Sequence, residues 1–119
     1  HPTATGAGDR WVGQQGARDA WRTGLERAGL VVEDTDPFEM KEAFAAPTLA
    51  YMRELGIDAG RCNVNGGAIA LGHAMGATGT TLVGMLADEL DRRGLRRGVA
   101  AVSGALGLGA AAVIETLAD

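Results

Sequence analysis

A single histidine inside a glycine-rich run is the strongest concentration of chemistry in this chain. His73 lies in Asn63–Thr81, NVNGGAIALGHAMGATGTT. Imidazole titrates near neutrality and serves as a general base or as a hydrogen-bond donor. Gly66-Gly67 ahead of it allows a sharp turn or a close approach. Gly76-Ala77-Thr78-Gly79 behind it opens a long apolar-periodic segment. The histidine is thereby set just before or at a helix N-terminus, where unpaired N–H groups and the positive dipole end gather. A histidine that merely bonds a carbonyl is the plain alternative. The other reactive residue types are scattered. Cys62 reads as a small buried hydrophobe rather than a nucleophile. Asp34 and Asp36 stand before Pro37 and read as solvated loop acids, and His1 reads as a terminal residue without a ligand set. One cysteine excludes an internal disulfide and a cysteine metal cluster, and no metal site is expected. Gly104–Gly109 has the glycine content of a phosphate-cradling loop, but it runs into a strand pattern rather than a helix.

The elements that must position His73 follow from periodicity. Ala17, Ala20, Trp21, Leu25 and Ala28 fall at helical spacing and predict a helix over Gln14–Gly29, with Gly29 as its stop. Trp11 and Trp21 read as core or interface anchors. Leu30–Asp36 is a connection and Phe38–Met40 a short strand. Lys41–Gly56 predicts a second helix with Ala43, Phe44, Leu49, Met52 and Leu55 on one side, kinked or divided at Pro47. Asn63–Asn65 reads as the end of a strand. Thr80–Arg93 is the strongest helical pattern: Leu82, Val83, Leu86 and Leu90 form its core face, and Glu89 with its charged neighbours lies outside. The charge cluster through Arg97 reads as a solvated helix end. Val99–Ser103 and Ala110–Leu117 predict two strands joined by a glycine-containing bend, a hairpin. Helices alternating with short buried strands give an α/β layered domain that ends in an antiparallel pair. Residues 1–13 carry no periodicity and read as a flexible lead-in, leaving 14–119 as the domain.

The run around His73 resembles the thiolase signature, in which an NVNGG(A/S)IALGHP-like segment precedes a GA(S/T)G helix start. Ala74 stands where that family has proline. The resemblance covers roughly Gln14–Leu117 and implies the thiolase C-terminal domain, a layered mixed sheet with helices. It implies that His73 activates a nucleophilic Cys and helps hold the thioester oxygen. Met40–Ala46, MKEAFAA, is similar to the family's NEAF segment, with Lys41 in place of the Asn that holds an oxyanion water and Phe44 in place of a residue near the pantetheine arm. Phe44 also falls on the predicted apolar face, so core packing is an equal reading. Lys brings three donors and a charge; it either stabilises an enolate directly or points away and leaves the oxyanion site incomplete. Val102–Gly109, VSGALGLG, is similar to the family's CxGxG segment. Ser103 takes the place of its acid/base Cys, Ala105 that of a glycine whose N–H is an oxyanion donor, and Gly107 is kept. A thiol with pKa about 8.5 is readily tuned towards neutrality, whereas a serine hydroxyl is a far weaker acid. An alanine at 105 needs an allowed φ, which predicts a slight shift of the loop.

The family's nucleophilic Cys and its CoA-covering loop have no counterpart in this sequence, and the first strand of the family's C-terminal domain has none unless His1–Thr5 is its remnant. The resemblance therefore implies the C-terminal half of an acyl-CoA acyltransferase, completed by a chain or fragment that carries the N-terminal domain. Coenzyme A is then a substrate, and no further cofactor is expected. A non-catalytic scaffold or dimerisation subunit is the alternative. The composition fits a domain of this kind: hydrophobic residues make up 46% and aromatics 4%, with 19 glycines, so a core of Ala, Val, Leu and Ile in close backbone packing is expected. Net charge is −4, against a nucleic-acid partner. No apolar run has the length of a membrane span. A reducing, cytoplasmic setting and a homo- or hetero-oligomer are expected, with self-association of the isolated chain.

Overall fold

The computed structural model describes residues 3–7 and 15–117 of the 119-residue chain. Strand β1 (Thr3–Ala7) leads, followed by helix α1 (Gln15–Ala28), strand β2 (Phe38–Met40), helix α2 (Ala45–Leu55), the short helix α3 (Ala68–Leu71), helix α4 (Thr78–Arg93), and strands β3 (Arg97–Ser103) and β4 (Leu108–Glu115). The strands form one mixed sheet in the order β1-β4-β3-β2. β4 is antiparallel to both β1 and β3, and β2 runs parallel to β3 with Phe38 opposite Val99 and Met40 opposite Ala101.

Strand alternation divides the core between two faces. Phe38, Met40, Val99, Ala101, Ala111 and Val113 point to the α1 side, where Ala17, Ala20, Trp21 and Leu25 meet them. The Trp21 and Phe38 rings meet edge to face at 5.2 Å, the geometry their quadrupoles favour. Ala100, Val102 and Ile114 point the other way, onto Leu82, Leu86 and Leu90 of α4. The result is a helix–sheet–helix sandwich, the expected layered α/β arrangement with its closing hairpin. α1 approaches the sheet through bare backbone: a methyl group on Gly109 would fall 2.0 Å from the Gly16 carbonyl carbon. α2 and α4 end at Gly56 and Gly94 in the left-handed conformation (φ 67° and 63°), where glycine carries no Cβ penalty. Among the described residues, no helix is long and apolar enough to cross a membrane.

Four expectations are corrected. Thr3–Ala7 is a strand, not part of a flexible lead-in; Thr3 pairs with Ala112 and Ala7 with Leu108. TATGA has no large apolar side chain to alternate, so only the ladder reveals it. The rest of that lead-in, with His1 and Trp11, lies outside the described residues. The second helix begins at Ala45 rather than Lys41, which puts Pro47 in the first turn, where a missing N–H costs nothing. Its buried residues are Thr48 and Tyr51, while Phe44 is 68% and Leu49 61% exposed. The strand end expected at Asn63–Asn65 is reduced to one bridge, Cys62 to Phe38. Val83 stands partly exposed, and Glu89 is buried rather than outside.

Candidate functional site

Three loops meet at the end of the sheet to which β2 and β3 point their C-termini, the place where parallel α/β sheets open a crevice. The first follows β2. The Lys41 N–H donates to the Ala101 carbonyl at 2.9 Å, extending the β2–β3 ladder by one residue and fixing where the Lys41 side chain leaves the sheet. Its Nζ donates to the Ser103 carbonyl oxygen. Burial pushes the Lys41 pKa down, because an unpaired cation loses hydration there.

The second loop carries His73. Asn63 is its anchor: its side-chain oxygen accepts from the Met40 N–H at 2.7 Å, and its N–H donates to the Phe38 carbonyl at 2.8 Å. Asn63 adopts φ 48°, a region that Asn tolerates better than most residues. Glu89 of α4 holds the loop from below. It accepts from the Asn65 amide at 3.1 Å and from Arg92 at 2.6 and 2.9 Å, and it also pairs with Arg93. The Arg92 guanidinium first, and the Asn65 amide next, hold its carboxyl down to about 2. After α3 the chain turns at Gly72 and presents His73 ahead of α4.

Thr78, the first residue of α4, is a partner of His73 that the sequence pattern did not disclose. Its hydroxyl lies 2.8 Å from His73 Nδ1 and donates to the Ala74 carbonyl at 3.0 Å. A hydroxyl has one proton. Spent on Ala74, it makes Thr78 the acceptor and Nδ1–H the donor, which leaves the lone pair on Nε2. Thr78→Val removes that acceptor at constant shape. The expected outcome is a shift of His73 towards the Nε2–H tautomer, read from its imidazole nitrogen shifts by NMR, with Thr78→Ser restoring the original signal.

The third loop joins β3 to β4. Ser103 closes β3 and is buried. Gly104 N–H donates back to the Leu108 carbonyl at 2.7 Å, tying the bend shut. The conformational demand expected at Ala105 falls one residue later: Leu106 has φ 61° and Gly107 φ 77°, while Ala105 is not among the positive-φ residues. A leucine in that region costs ~1 kcal/mol.

Lys41, His73, Met75, Thr78, Ser103, Gly104 and Ala105 line one cavity of about 390 Å³. An adjoining cavity of about 530 Å³ shares Lys41, His73 and Ala105 and adds Phe44 and Gly107. The six residues singled out from the sequence, Lys41, Phe44, His73, Ser103, Ala105 and Gly107, thus line two cavities with a common wall. Phe44 stands at this rim instead of in the core. Cys62 lines neither cavity. Burial first, then the nearby Glu39 and Glu42 charges, push its thiol up to about 12. Among the described residues, no group of three His, Cys, Asp or Glu is placed to hold a metal ion.

Comparison with known proteins gives the family of this fold. Residues 3–116 match the family model "Thiolase, C-terminal domain". The chain is 50% identical over 91 residues to a 3-ketoacyl-CoA thiolase of Bacillus subtilis, covering 76% of this chain and 23% of that protein. It is 47% identical over 98 residues to an acetyl-CoA acetyltransferase of Shinella zoogloeoides, covering 82% and 25%. The crystal structure of the Bacillus anthracis acetyl-CoA acetyltransferase superimposes with a TM-score of 0.93 at 40% identity, over 98% of this chain and 29% of that one. The chain therefore spans about a quarter of the length of the curated relatives it matches. On the family match and the shared architecture together, this chain belongs to the thiolase family and corresponds to its C-terminal domain.

Proposed function

We propose that this domain is the C-terminal half of an acyl-CoA C-acyltransferase site, which makes or cleaves a carbon–carbon bond next to a CoA thioester. An N-terminal thiolase half, on another chain or another part of a longer one, supplies the nucleophilic Cys. One observation carries the reading: Lys41, His73, Ser103 and Ala105 come from three separate loops and line one cleft. His73, with its lone pair on Nε2, accepts the proton of the nucleophilic thiol and, once protonated, donates to the thioester oxygen. The Ala105 backbone, which lines the same cleft, is assigned as an N–H donor to the charge that develops on that oxygen. Phe44, exposed at the rim, offers an apolar surface to the pantetheine arm. A groove on the α4 side of the sheet, lined by Val83, Val102, Ala110 and Ala112 among others, suits packing against the missing half or another subunit.

The test is CoA-dependent cleavage of a 3-oxoacyl-CoA by the domain assembled with its N-terminal half. His73→Ala is expected to lower kcat by roughly 100-fold to 10,000-fold. An inert complex, or a His73→Ala complex as fast as the parent, overturns the reading. A second reading, a non-catalytic scaffold, draws support from the serine at position 103 and from the Lys41 Nζ engaged by the Ser103 carbonyl. Calorimetry separates the two: an assembled complex without affinity for acyl-CoA is a scaffold.

A further inference from the structure

We propose that Lys41 is the proton-transfer group of this cleft, its amine taking the α-proton of the acyl-CoA thioester. This rests on the acyltransferase reading above. It answers a chemical difficulty within it, since the hydroxyl of Ser103 is a poor base towards a carbon acid.

The chain contains ten arginines and one lysine. Guanidinium does not titrate in proteins, whereas a desolvated lysine amine does. Among the lysine and arginine side chains, the one able to exchange a proton is therefore the one that lines the cleft, beside His73. Its backbone is fixed by the bond to the Ala101 carbonyl. Its Nζ rests on the Ser103 carbonyl oxygen, beside the residue at the acid/base position. Two titratable groups share the cleft walls with it. Glu42, next in the chain, has its carboxylate turned against Gly67, where a Gly67 methyl would meet it at 2.6 Å; His73 faces the cleft from the loop before α4. Ser103 is the third neighbour, from β3. Burial pushes the Lys41 pKa downward, where an ion pair would push it upward. As a neutral amine, Lys41 keeps one N–H on the Ser103 carbonyl and has a lone pair to accept a proton.

The step balances without a further reactant. The α-C–H proton passes to Nζ, giving an ammonium, and the C–H electron pair remains on the substrate as an enolate. The enolate carbon bonds to the acyl group on the Cys of the N-terminal half, whose sulfur leaves as thiolate. In the cleavage direction the ammonium returns its proton to the carbon.

The experiment follows α-hydrogen exchange of acetyl-CoA in deuterium oxide by NMR, using the assembled complex. Lys41→Met and Lys41→Arg are both expected to slow exchange roughly 100-fold or more, although Arg keeps the charge. Ser103→Cys placed in the Lys41→Arg background is expected to restore exchange, because a thiol resupplies the missing base. The parent rate is expected to rise tenfold per pH unit and level off above the Lys41 pKa. A Lys41→Arg complex that exchanges at the parent rate overturns the proposal while leaving the acyltransferase reading intact. A parent complex with neither exchange nor cleavage overturns both. A second measurement uses reductive methylation of the complex with labelled formaldehyde, in which the side-chain signal absent from the Lys41→Arg complex belongs to Lys41. Titration of that signal at an ordinary lysine pKa also overturns the proposal.

Discussion

Replacing Gly109 by alanine is expected to destabilise the domain by about 3 kcal/mol or more. The added methyl group would lie 2.0 Å from the Gly16 carbonyl carbon, 2.1 Å from the Gly16 oxygen and 2.2 Å from the Ala17 nitrogen. All three are backbone atoms, so no side chain can rotate aside. Relief requires α1 to lift from the sheet, and with it Trp21 and Leu25, which are buried against Phe38 and its neighbours. Gly67 gives the contrast. A methyl there would meet Glu42 and Asn63 side-chain atoms at 2.6 and 2.7 Å, and side chains can move. Gly67→Ala is expected to cost roughly half as much or less. Urea unfolding of the two variants at equal m-value checks the order. A Gly109→Ala midpoint equal to that of the parent would show that α1 does not dock on the backbone of β4.

Glu39→Gln is expected to stabilise the domain above neutral pH and to flatten its pH dependence. Glu39 is wholly buried in β2, opposite Ala100, and therefore on the α4 face of the sheet. Among the described residues, neither carboxylate oxygen has a hydrogen-bond partner. Burial, then repulsion from Glu89 and Glu42, push its pKa up from 4.5 to about 7. The sign follows from linkage. Below 4.5 the folded and unfolded chains both hold the proton. Between 4.5 and about 7 the unfolded chain releases it and the folded chain does not, so stability falls as pH rises. At 1.36 kcal/mol per pH unit the whole loss is ~3 kcal/mol, complete above about pH 7. Glutamine cannot ionise and escapes that loss, though its amide still lacks partners, so a net gain of ~1–2 kcal/mol at pH 8 is expected. Unfolding free energies at pH 5 and pH 8 test this. Equal pH slopes for parent and variant would show that Glu39 does not titrate in this window.

The sequence was most legible where large side chains repeat. Leu82, Leu86 and Leu90 marked α4, and Ala17, Trp21 and Leu25 marked α1, because burial of a helix face imposes a period near four. The loops were legible for another reason: His73, Lys41 and Ser103 stand in motif contexts that the family resemblance reads directly. What escaped was held by long-range or backbone forces. β1 consists of small residues stabilised by a ladder to Ala110–Ala112, and no local pattern announces that partner. Phe44 and Leu49 fit an apolar stripe, but the helix starts after Phe44, and the chain leaves both at the surface. Glu89 read as a solvated charge because Arg92 and Arg93, one helical turn on, look like surface ion-pair partners, and the Asn65 amide that also holds it arrives only in three dimensions. Thr78 looked like one more helix-start residue, since a hydroxyl shared between an imidazole and a carbonyl leaves no spacing signal.

The place of β1 in the sheet sets an order of assembly. Among the described strands, β1 pairs with β4 alone, and β4 is the last of them in the chain. As the polypeptide leaves the ribosome, Thr3–Ala7 emerges long before the residues that will receive its hydrogen bonds. α1 waits as well, because its close contact is with Gly109 and Leu108. The β3–β4 hairpin needs only a short loop to close and can form as soon as it is made. Closing the span from Thr3 to Ala112 carries the larger entropic cost and follows it. Synthesis therefore runs from first strand to last, while the sheet is completed from its last strand back to its first.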